Sequence, residues 1–360
     1  MGNKRRSNFE WLRILAMAMI ITLHYMFKGG MLLSAADDVS ASNLILWSLT
    51  YLSICAVDAY VLISGYFLVE TEFKLRRLLG LIVQILEYSL LITAVMIFTG
   101  QVSLAEIDLY SWIGYVFPIG TEEYWFITAY VFMYVLSPVL GAGAKALSER
   151  KLRIAILTLL LFTTLEKTIL PMALPTDRSG YEFGWFIILY LIAAYIRLYG
   201  IKWLENSMIK SWLLYLLSVT ITLLCGVGFA HLYGVTGIET FKRYSELTVD
   251  YNYLFVLTSA IGLFYIFKNA RFNEDGVPAS IARKLGALTL GVYLLHEHPL
   301  IRYKWQAWFK VSKERPIVLT LLNWMMCMVI IMSIGFLVEF VRRILHRLVS
   351  KESNAAATEA

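Results

Sequence analysis

The segment "NFEWLRILAMAMIITLHYMF", residues 8–27, determines the predicted fold class. It is mostly apolar over a length that covers about 30 Å as an α-helix, the thickness of the hydrocarbon core of a bilayer. It nevertheless contains Glu10, Arg13 and His24. An ionisable side chain within a membrane span is costly and normally faces the bundle interior or a water-filled cavity. The segment therefore predicts a first membrane helix that lines a cavity.

The spacing of these polar residues predicts their arrangement on the helix. Arg13 and His24 are eleven residues apart, which is about 1100° of rotation, so they share one face and lie roughly 16 Å apart along the axis. Glu10 precedes Arg13 by three residues and predicts an ion pair near the start of the helix. An imidazole, with a pKa of about 6.5, suits proton transfer near neutral pH. His24 is therefore a candidate catalytic residue.

The same apolar pattern recurs along the 360-residue chain, of which 59% is hydrophobic and 16% charged. Ten stretches are long enough to cross a bilayer as helices. They lie near 9–27, 44–69, 79–99, 123–140, 152–171, 183–199, 211–230, 251–268, 286–304 and 316–341. We predict an all-α polytopic membrane bundle of about ten helices, with one membrane domain over residues 1–349. The polar end, "SKESNAAATEA" at 350–360, predicts a disordered cytoplasmic tail.

The distribution of charge predicts the topology. The net charge is +6, but most basic residues fall in alternate loops on the side of the N-terminal Lys4, Arg5 and Arg6, which favours a bilayer rather than nucleic acid as the partner. This bias predicts that both termini are cytoplasmic. The segment "RYKWQAWFKVSKER" at 302–315 is the exception, because it carries five Lys or Arg on the predicted outer side. It could lie on a membrane surface or contact an anionic substrate.

The first span could also be the start of a secretory signal peptide, because a basic start, an apolar run and the small residues of "LLSAADD" follow that order. Glu10 and Arg13 would interrupt the apolar region of such a peptide. Removing the segment would also reverse the charge bias. We therefore favour a retained helix.

A second group of histidines lies in "YLLHEHPLIR". His296 and His298 are about 200° apart on a helix, so both can face one cavity only if the helix is broken, and Pro299 could break it. We favour His296 as the residue that faces the cavity. We predict no metal site, because the five histidines of the chain show no zinc-ligand spacing.

Four motifs together carry a resemblance to a known family. They are Arg13 followed by ten residues and His24, "DAYVLISGYFL" (58–68) followed by "KLRRLLG", "EEYWFITAYVFMYVLSPVL" (122–140), and "LGVYLLHEHPLI" (290–301). In this order they resemble the acyltransferase 3 family of membrane-bound O-acyltransferases, over nearly the whole chain. One departure is Asp58-Ala59-Tyr60, where the family often has Phe-Phe.

The resemblance implies transfer of an acyl group, most often acetyl from acetyl-CoA, to a hydroxyl of a cell-surface sugar or lipid-linked glycan. It also implies a multi-pass protein of the cell membrane, here the plasma membrane of a bacterium. His24 would act as general base or form an acyl-histidine, with Arg13 and Glu10 completing the catalytic group. The phosphates of acetyl-CoA need basic groups, for which the candidates are Arg13, Arg76 and Arg77. The candidates for binding the acceptor are His296, Trp125 and Asp58.

Two other classes of protein fit parts of the same pattern. A secondary transporter or flippase could use the intramembrane charges as a proton or substrate path, although we find no pair of matched halves. A membrane glycosyltransferase or glycan polymerase would need carboxylates in external loops, and the loops near 100–122 and 231–250 contain several. We rank the acyltransferase first, because its four motifs occur in order.

Overall fold

The computed structural model describes residues 6–172 and 175–359, with side chains as far as residue 348. Helices form 73% of the chain, and the described residues contain no strand. The α-helices are α1 (Ser7–Lys28), α2 (Ala41–Ser53), α3 (Ala56–Leu68), α4 (Leu75–Phe98), α5 (Leu109–Val116), α6 (Trp125–Ala146), α7 (Glu149–Leu160), α8 (Glu166–Ile169), α9 (Phe183–Leu198), α10 (Met208–Thr236), α11 (Glu239–Leu247), α12 (Leu254–Asn269), α13 (Val277–Gly286), α14 (Thr289–His296), α15 (Trp305–Trp308) and α16 (Ile317–Glu359).

Six helical segments are long and apolar enough to cross a membrane. They are Ser7–Lys28, Ala41–Leu68, Leu75–Phe98, Trp125–Ala146, Met208–Thr236 and Ile317–Leu348. The α9 and α12 helices are apolar but have 16 residues each, or about 24 Å, less than the hydrocarbon core of about 30 Å. The all-helical bundle is confirmed. The count of ten crossings, the side of the termini and the boundary at residue 349 stay predictions.

Three predicted spans are interrupted. The stretch 44–69 divides into α2 and α3, and the stretch 152–171 contains a π-helical turn at Leu161–Leu165 between α7 and α8. The stretch 286–304 contains α14, which ends at His296, three residues before Pro299. Proline lacks an N–H and disfavours helical geometry in the residue before it, so the helix cannot continue regularly through 298–299.

The α1 helix packs against several other helices, among them α2, α3, α12, α13, α14 and α16. Near its start, the Phe9 ring is fully buried and lies 5.4 Å from the Tyr66 ring and 5.3 Å from the Phe264 ring. These centroid distances are typical of favourable aromatic contacts. Glu10 is buried, and the Arg13 and His24 side chains are 20% and 16% exposed, so the polar residues of α1 lie largely within the bundle.

The α14 helix is held against α4 and α16 by a close backbone approach and a buried polar network. A Cβ atom on Gly291 would lie 2.5 Å from Glu339 Cβ and 2.5 Å from the Tyr88 hydroxyl, so only glycine fits there. Glu339 is fully buried and accepts from Arg342 at 2.8 Å, Arg343 at 2.7 Å and Tyr88 at 3.1 Å. A buried carboxylate with several donors fixes its neighbours strongly. This network positions α14, which carries His296.

A second buried network joins two loops. Lys167 lies at the end of the divided 152–171 stretch, and its Nζ is 2.8 Å from Asp177 and 2.7 Å from Asp250. Asn252 also accepts from the same ammonium at 2.9 Å. A buried cation with two carboxylates is fully compensated. Lys167 is thus structural and ties the segments before α9 and α12 together.

Candidate active site

The predicted ion pair at the start of α1 is confirmed. The Arg13 guanidinium donates to the Glu10 carboxylate three residues earlier. Glu10 is buried, and 20% of the Arg13 side chain is exposed. The carboxylate therefore orients the guanidinium, part of which remains accessible.

The other two basic candidates lie at the start of α4. Arg76 and Arg77 are both exposed. The structure therefore places them on the surface, whereas most of the Arg13 side chain is buried.

At the other end of α1, His24 contacts two neighbouring residues from the end of α14. His24 Nδ1 lies 3.0 Å from His296 Nε2 and 3.1 Å from Glu297 Oε1. Glu297 also pairs with Lys28, whose Nζ is 2.6 Å from Oε2. The His24 side chain is 16% exposed and that of Glu297 is 5% exposed. Four polar groups therefore meet at a nearly buried site.

These contacts determine which nitrogen of each imidazole carries its proton. His296 Nδ1 lies 2.6 Å from the Val292 carbonyl oxygen, which only accepts, so Nδ1 donates and the neutral ring has its lone pair on Nε2. That lone pair accepts from His24 Nδ1–H. Neutral His24 then has its own lone pair on Nε2. Among the described residues, none hydrogen-bonds to this nitrogen.

His296 and His298 point in different directions. The end of α14 at His296 therefore does not turn both side chains toward one cavity. His296 faces His24, whereas His298 Nε2 lies 3.0 Å from the Ser89 carbonyl oxygen. The His298 ring also stacks on Tyr115, with centroids 6.0 Å apart. His298 is fully buried in these contacts. The structure thus places His296, which we favoured from the sequence, against His24. His298 lies elsewhere.

Trp125 and Asp58 lie in an aromatic region beside this cluster. The Trp125 ring stacks on Tyr251 at 5.7 Å and contacts Tyr181 at 4.4 Å. Asp58 is fully buried and accepts from Trp185 Nε1 at 2.9 Å. Its Oδ2 has no hydrogen-bond partner among the described residues. Trp125 is only partly buried, so its ring is the more accessible of the two candidates.

A chain of ring contacts joins Trp125 to the histidines. Trp125 lies 6.0 Å from Phe126, which lies 5.6 Å from Tyr293. Tyr293 in turn contacts His296 edge to face, with centroids 6.1 Å apart. The two sets of predicted residues are therefore connected through packed aromatic side chains. No direct contact joins Trp125 or Asp58 to His24 in the described part of the chain.

Lys28 and Glu297 are not among the site residues predicted from the sequence. Lys28 is four residues after His24 and therefore lies on the same helix face, a spacing that could have identified it. Glu297 is next to the candidate His296, but its pairing with α1 depends on a contact across 269 residues. The sequence offers no local signal for such a contact.

The ligand atoms of His24, His296 and Glu297 lie within 4.8 Å of one another, which would suit a metal ion. However, Glu297 already pairs with Lys28. A cation beside the carboxylate opposes a second cation at the same oxygen atoms. The two contacts of His24, at 3.0 and 3.1 Å, also fit hydrogen bonds. We therefore interpret the group as a hydrogen-bonded cluster.

Comparison with known proteins gives the family. No curated protein and no solved structure matches the chain. The model of the acyltransferase 3 family, described as an acyltransferase domain, matches residues 6–340. The match includes both ends of α1 and the whole of α14. The chain therefore belongs to the acyltransferase 3 family and is a multi-pass membrane acyltransferase.

Proposed function

We propose that this protein transfers an acetyl group from acetyl-CoA to a hydroxyl of a surface or lipid-linked polysaccharide. In this proposal it crosses the plasma membrane of a bacterium about ten times, with both termini in the cytoplasm. The Arg13 end of α1 then faces the compartment that contains acetyl-CoA. The His24 end lies in the outer half of the membrane, nearer the acceptor.

The inner end of α1 suits the donor. Coenzyme A carries several phosphates, and a guanidinium can bind a phosphate through two hydrogen bonds. Arg13, which is partly accessible, would bind these phosphates together with Arg76 and Arg77, which are exposed at the start of α4. Glu10 holds the Arg13 guanidinium in place.

The distance between the two ends of α1 also fits this donor. Arg13 and His24 are about 16 Å apart along the helix axis. The arm of acetyl-CoA has roughly fourteen bonds between its pyrophosphate and the thioester carbon, and at ~3.4 Å per three bonds of extended chain it spans about 16 Å. Phosphates bound at Arg13 would therefore place the thioester near His24.

His24 would act as the general base. As the acceptor hydroxyl oxygen attacks the thioester carbonyl carbon, His24 Nε2 takes the hydroxyl proton. The tetrahedral intermediate then loses the thiolate of coenzyme A, which receives that proton from His24. The products are the O-acetyl ester and free coenzyme A, and the imidazole returns to its starting form.

Glu297 and His296 support this proton transfer. When His24 gains a proton it becomes an imidazolium, and the Glu297 carboxylate 3.1 Å from Nδ1 stabilises the positive charge. His296 accepts from Nδ1 and keeps Nε2 available. His296, Trp125 and Asp58 would lie on the acceptor side of the site, where an aromatic ring can pack against a sugar.

One observation carries the proposal: the hydrogen-bond chain from Val292 through His296 to His24, which leaves His24 Nε2 as a proton acceptor in a part-exposed position. A catalytic base needs this combination of a fixed tautomer and an accessible lone pair. The family match covers every residue in the chain of contacts.

The test is acetyl transfer by the purified full-length protein, together with the O-acetyl content of surface polysaccharide in cells that produce it. Loss of the base in His24→Ala should lower the rate by roughly 10²- to 10⁴-fold. His231→Ala is the matched control, because His231 is an exposed histidine on α10. Normal acetylation by a stably inserted His24→Ala variant would refute the assigned role. A transporter would instead leave acetyl-CoA unconsumed in the purified assay.

A further inference from the structure

We propose that the acceptor is an anionic saccharide, whose carboxylate or phosphate groups bind the segment 302–315 at the His24 end of the bundle. We call residues 302–315 the basic segment. The inference rests on the proposed function, since it assigns the chemical class of the acceptor for the same site. Several cations of the basic segment have no carboxylate partner among the described residues.

The basic segment has a large excess of positive charge. Its cations are Arg302, Lys304, Lys310, Lys313 and Arg315, and its one acidic residue is Glu314. Arg302 is compensated by Glu123. Its Nη2 lies 3.5 Å from Glu123 Oε2, and its Nη1 donates to the Glu123 backbone oxygen at 3.0 Å. Within the described part of the chain, no carboxylate lies within 4.0 Å of Lys310, Lys313 or Arg315. Three cations are therefore available to an outside anion.

Contacts place the basic segment across the end of α1 that carries His24. Lys28 lies 5.5 Å from the centre of the Tyr303 ring. A Cβ atom on Gly29 would be 3.0 Å from Val311 Cγ1, so the Val311 side chain packs closely against the backbone just after α1. The basic segment thus begins beside Lys28, one helical turn beyond His24.

The same segment reaches two neighbouring loops at this end of the bundle. Lys304 Nζ donates to the Gln101 carbonyl at 3.0 Å, just after α4 ends. Arg302 contacts Glu123, just before α6 begins. The basic segment therefore lies at the end of the bundle from which an acceptor would approach His24.

The basic segment also has a defined conformation. The Val311 N–H donates to the Gln306 carbonyl at 2.9 Å, and the Gln306 side chain donates to the Arg302 carbonyl at 3.0 Å. Trp305 is 2% exposed and anchors the segment in the bundle. Lys310 and Lys313, in contrast, are exposed. The cations are therefore displayed on an ordered scaffold, which lowers the entropic cost of binding a ligand.

This charge is not needed for the donor. The donor candidates Arg13, Arg76 and Arg77 belong to the opposite end of α1 and the start of α4. Clustered cations raise the local concentration of an anion, and at physiological salt the attraction extends about 8 Å. An acidic saccharide would therefore be concentrated at the His24 end of the bundle, whereas a neutral one would not.

The experiment measures saccharide binding by the full-length protein in nanodiscs made of phosphatidylcholine alone, with no acyl donor present. The labelled probes are oligogalacturonate, which carries carboxylates, phosphorylated dextran, and unmodified dextran. We expect at least one anionic probe to bind about tenfold more tightly than unmodified dextran at low salt, with affinity falling as salt rises. The tighter anionic probe identifies the acidic group.

The test variant is Lys310→Gln/Lys313→Gln, which should weaken anionic binding about fivefold, since exposed ion pairs contribute modestly each. The matched control is Lys145→Gln/Lys151→Gln, a pair of exposed lysines near the end of α6 and the start of α7. Thermal unfolding checks that both variants are folded. Because no acyl donor is present, the binding result is independent of whether transfer occurs.

Two outcomes would overturn the proposal. One is equal affinity for anionic and neutral probes in the wild-type protein. The other is unchanged anionic binding in Lys310→Gln/Lys313→Gln, with loss of binding to phosphatidylglycerol vesicles instead, which would make the basic segment a contact for the lipid surface.

Discussion

The two ends of α1 carry their polar residues in different ways. Arg13 pairs with Glu10 on the same helix, three residues earlier. His24 instead contacts His296 and Glu297, which come from α14 and lie 3.0 and 3.1 Å away. The first arrangement needs only a helix. The second needs two helices held together to within a few tenths of an ångström, and it is the end to which we assign proton transfer.

Mutations at the two ends of α1 should therefore have different effects. A change of Arg13 should affect the binding of a ligand, and it also removes the cation that pairs with the buried Glu10 carboxylate. A change at the His24 end should affect both the rate and the contact between α1 and α14.

Removing the Glu297 charge should have the largest effect on stability. Glu297→Gln leaves Lys28, whose side chain is only 17% exposed, without its carboxylate, which should cost about 3 kcal/mol of unfolding free energy. In the double variant Lys28→Met/Glu297→Gln the uncompensated charge is gone, so stability should return while acetyl transfer stays slow. Thermal unfolding and transfer rate, measured on the same samples, check both expectations. A double variant as unstable as Glu297→Gln would contradict this account of the pair.

Removing the His296 ring should lower the kcat of acetyl transfer by a factor of about 30. His296→Ala takes away the acceptor for His24 Nδ1–H, so the catalytic nitrogen loses its fixed tautomer and orientation. We expect roughly a 30-fold loss in kcat, less than the loss of the base itself. His298→Ala is the control, because His298 contacts Ser89 instead and should change stability rather than kcat. Equal losses of kcat in the two variants would refute the distinction between these histidines.

Changing Arg13 should act on donor binding. Arg13→Ala removes a guanidinium that binds phosphate, so KM for acetyl-CoA should rise about tenfold, with a smaller change in kcat. Arg13→Lys should recover only part of the loss, because an ammonium cannot bind phosphate through two parallel bonds. The measurement is initial rate against acetyl-CoA concentration. A fall in kcat with KM unchanged would assign Arg13 to the chemical step instead.

The smallest effect is expected for the two basic residues at the start of α4. Arg76 and Arg77 are both exposed, and exposed charges contribute modestly to binding. Arg76→Gln and Arg77→Gln should therefore each raise KM for acetyl-CoA about threefold. The same assay as for Arg13 measures both. An unchanged KM in both variants would remove these two residues from the donor site.

Much of the fold could be predicted from the sequence, because membrane helices need long apolar runs. All ten predicted stretches contain helix in the structure. The Glu10 and Arg13 pair could be predicted as well, since it depends only on helical spacing. The interruptions of the predicted spans were harder to predict. Pro299 gave a signal for the end of α14, but "YLSICAVD", where α2 gives way to α3, contains neither proline nor glycine.

The candidate site could be predicted only in part. His24 and His296 were each identified from the cost of an ionisable group in a span. Their contact was not, because it joins residues 272 positions apart. The partnership of Lys28 with Glu297 was missed for the same reason. Single residues can thus be identified from local chemistry, whereas their pairing is set by how the helices pack.

The most direct test of the central claim is the ¹⁵N NMR spectrum of histidine-labelled protein in a bilayer near neutral pH, with His24→Ala used to assign the signal. We expect His24 to have a protonated Nδ1 that is hydrogen-bonded to His296 Nε2, and an unprotonated Nε2. A His24 ring that is protonated on Nε2 would contradict it, because no lone pair would then remain to accept the proton of the acceptor hydroxyl.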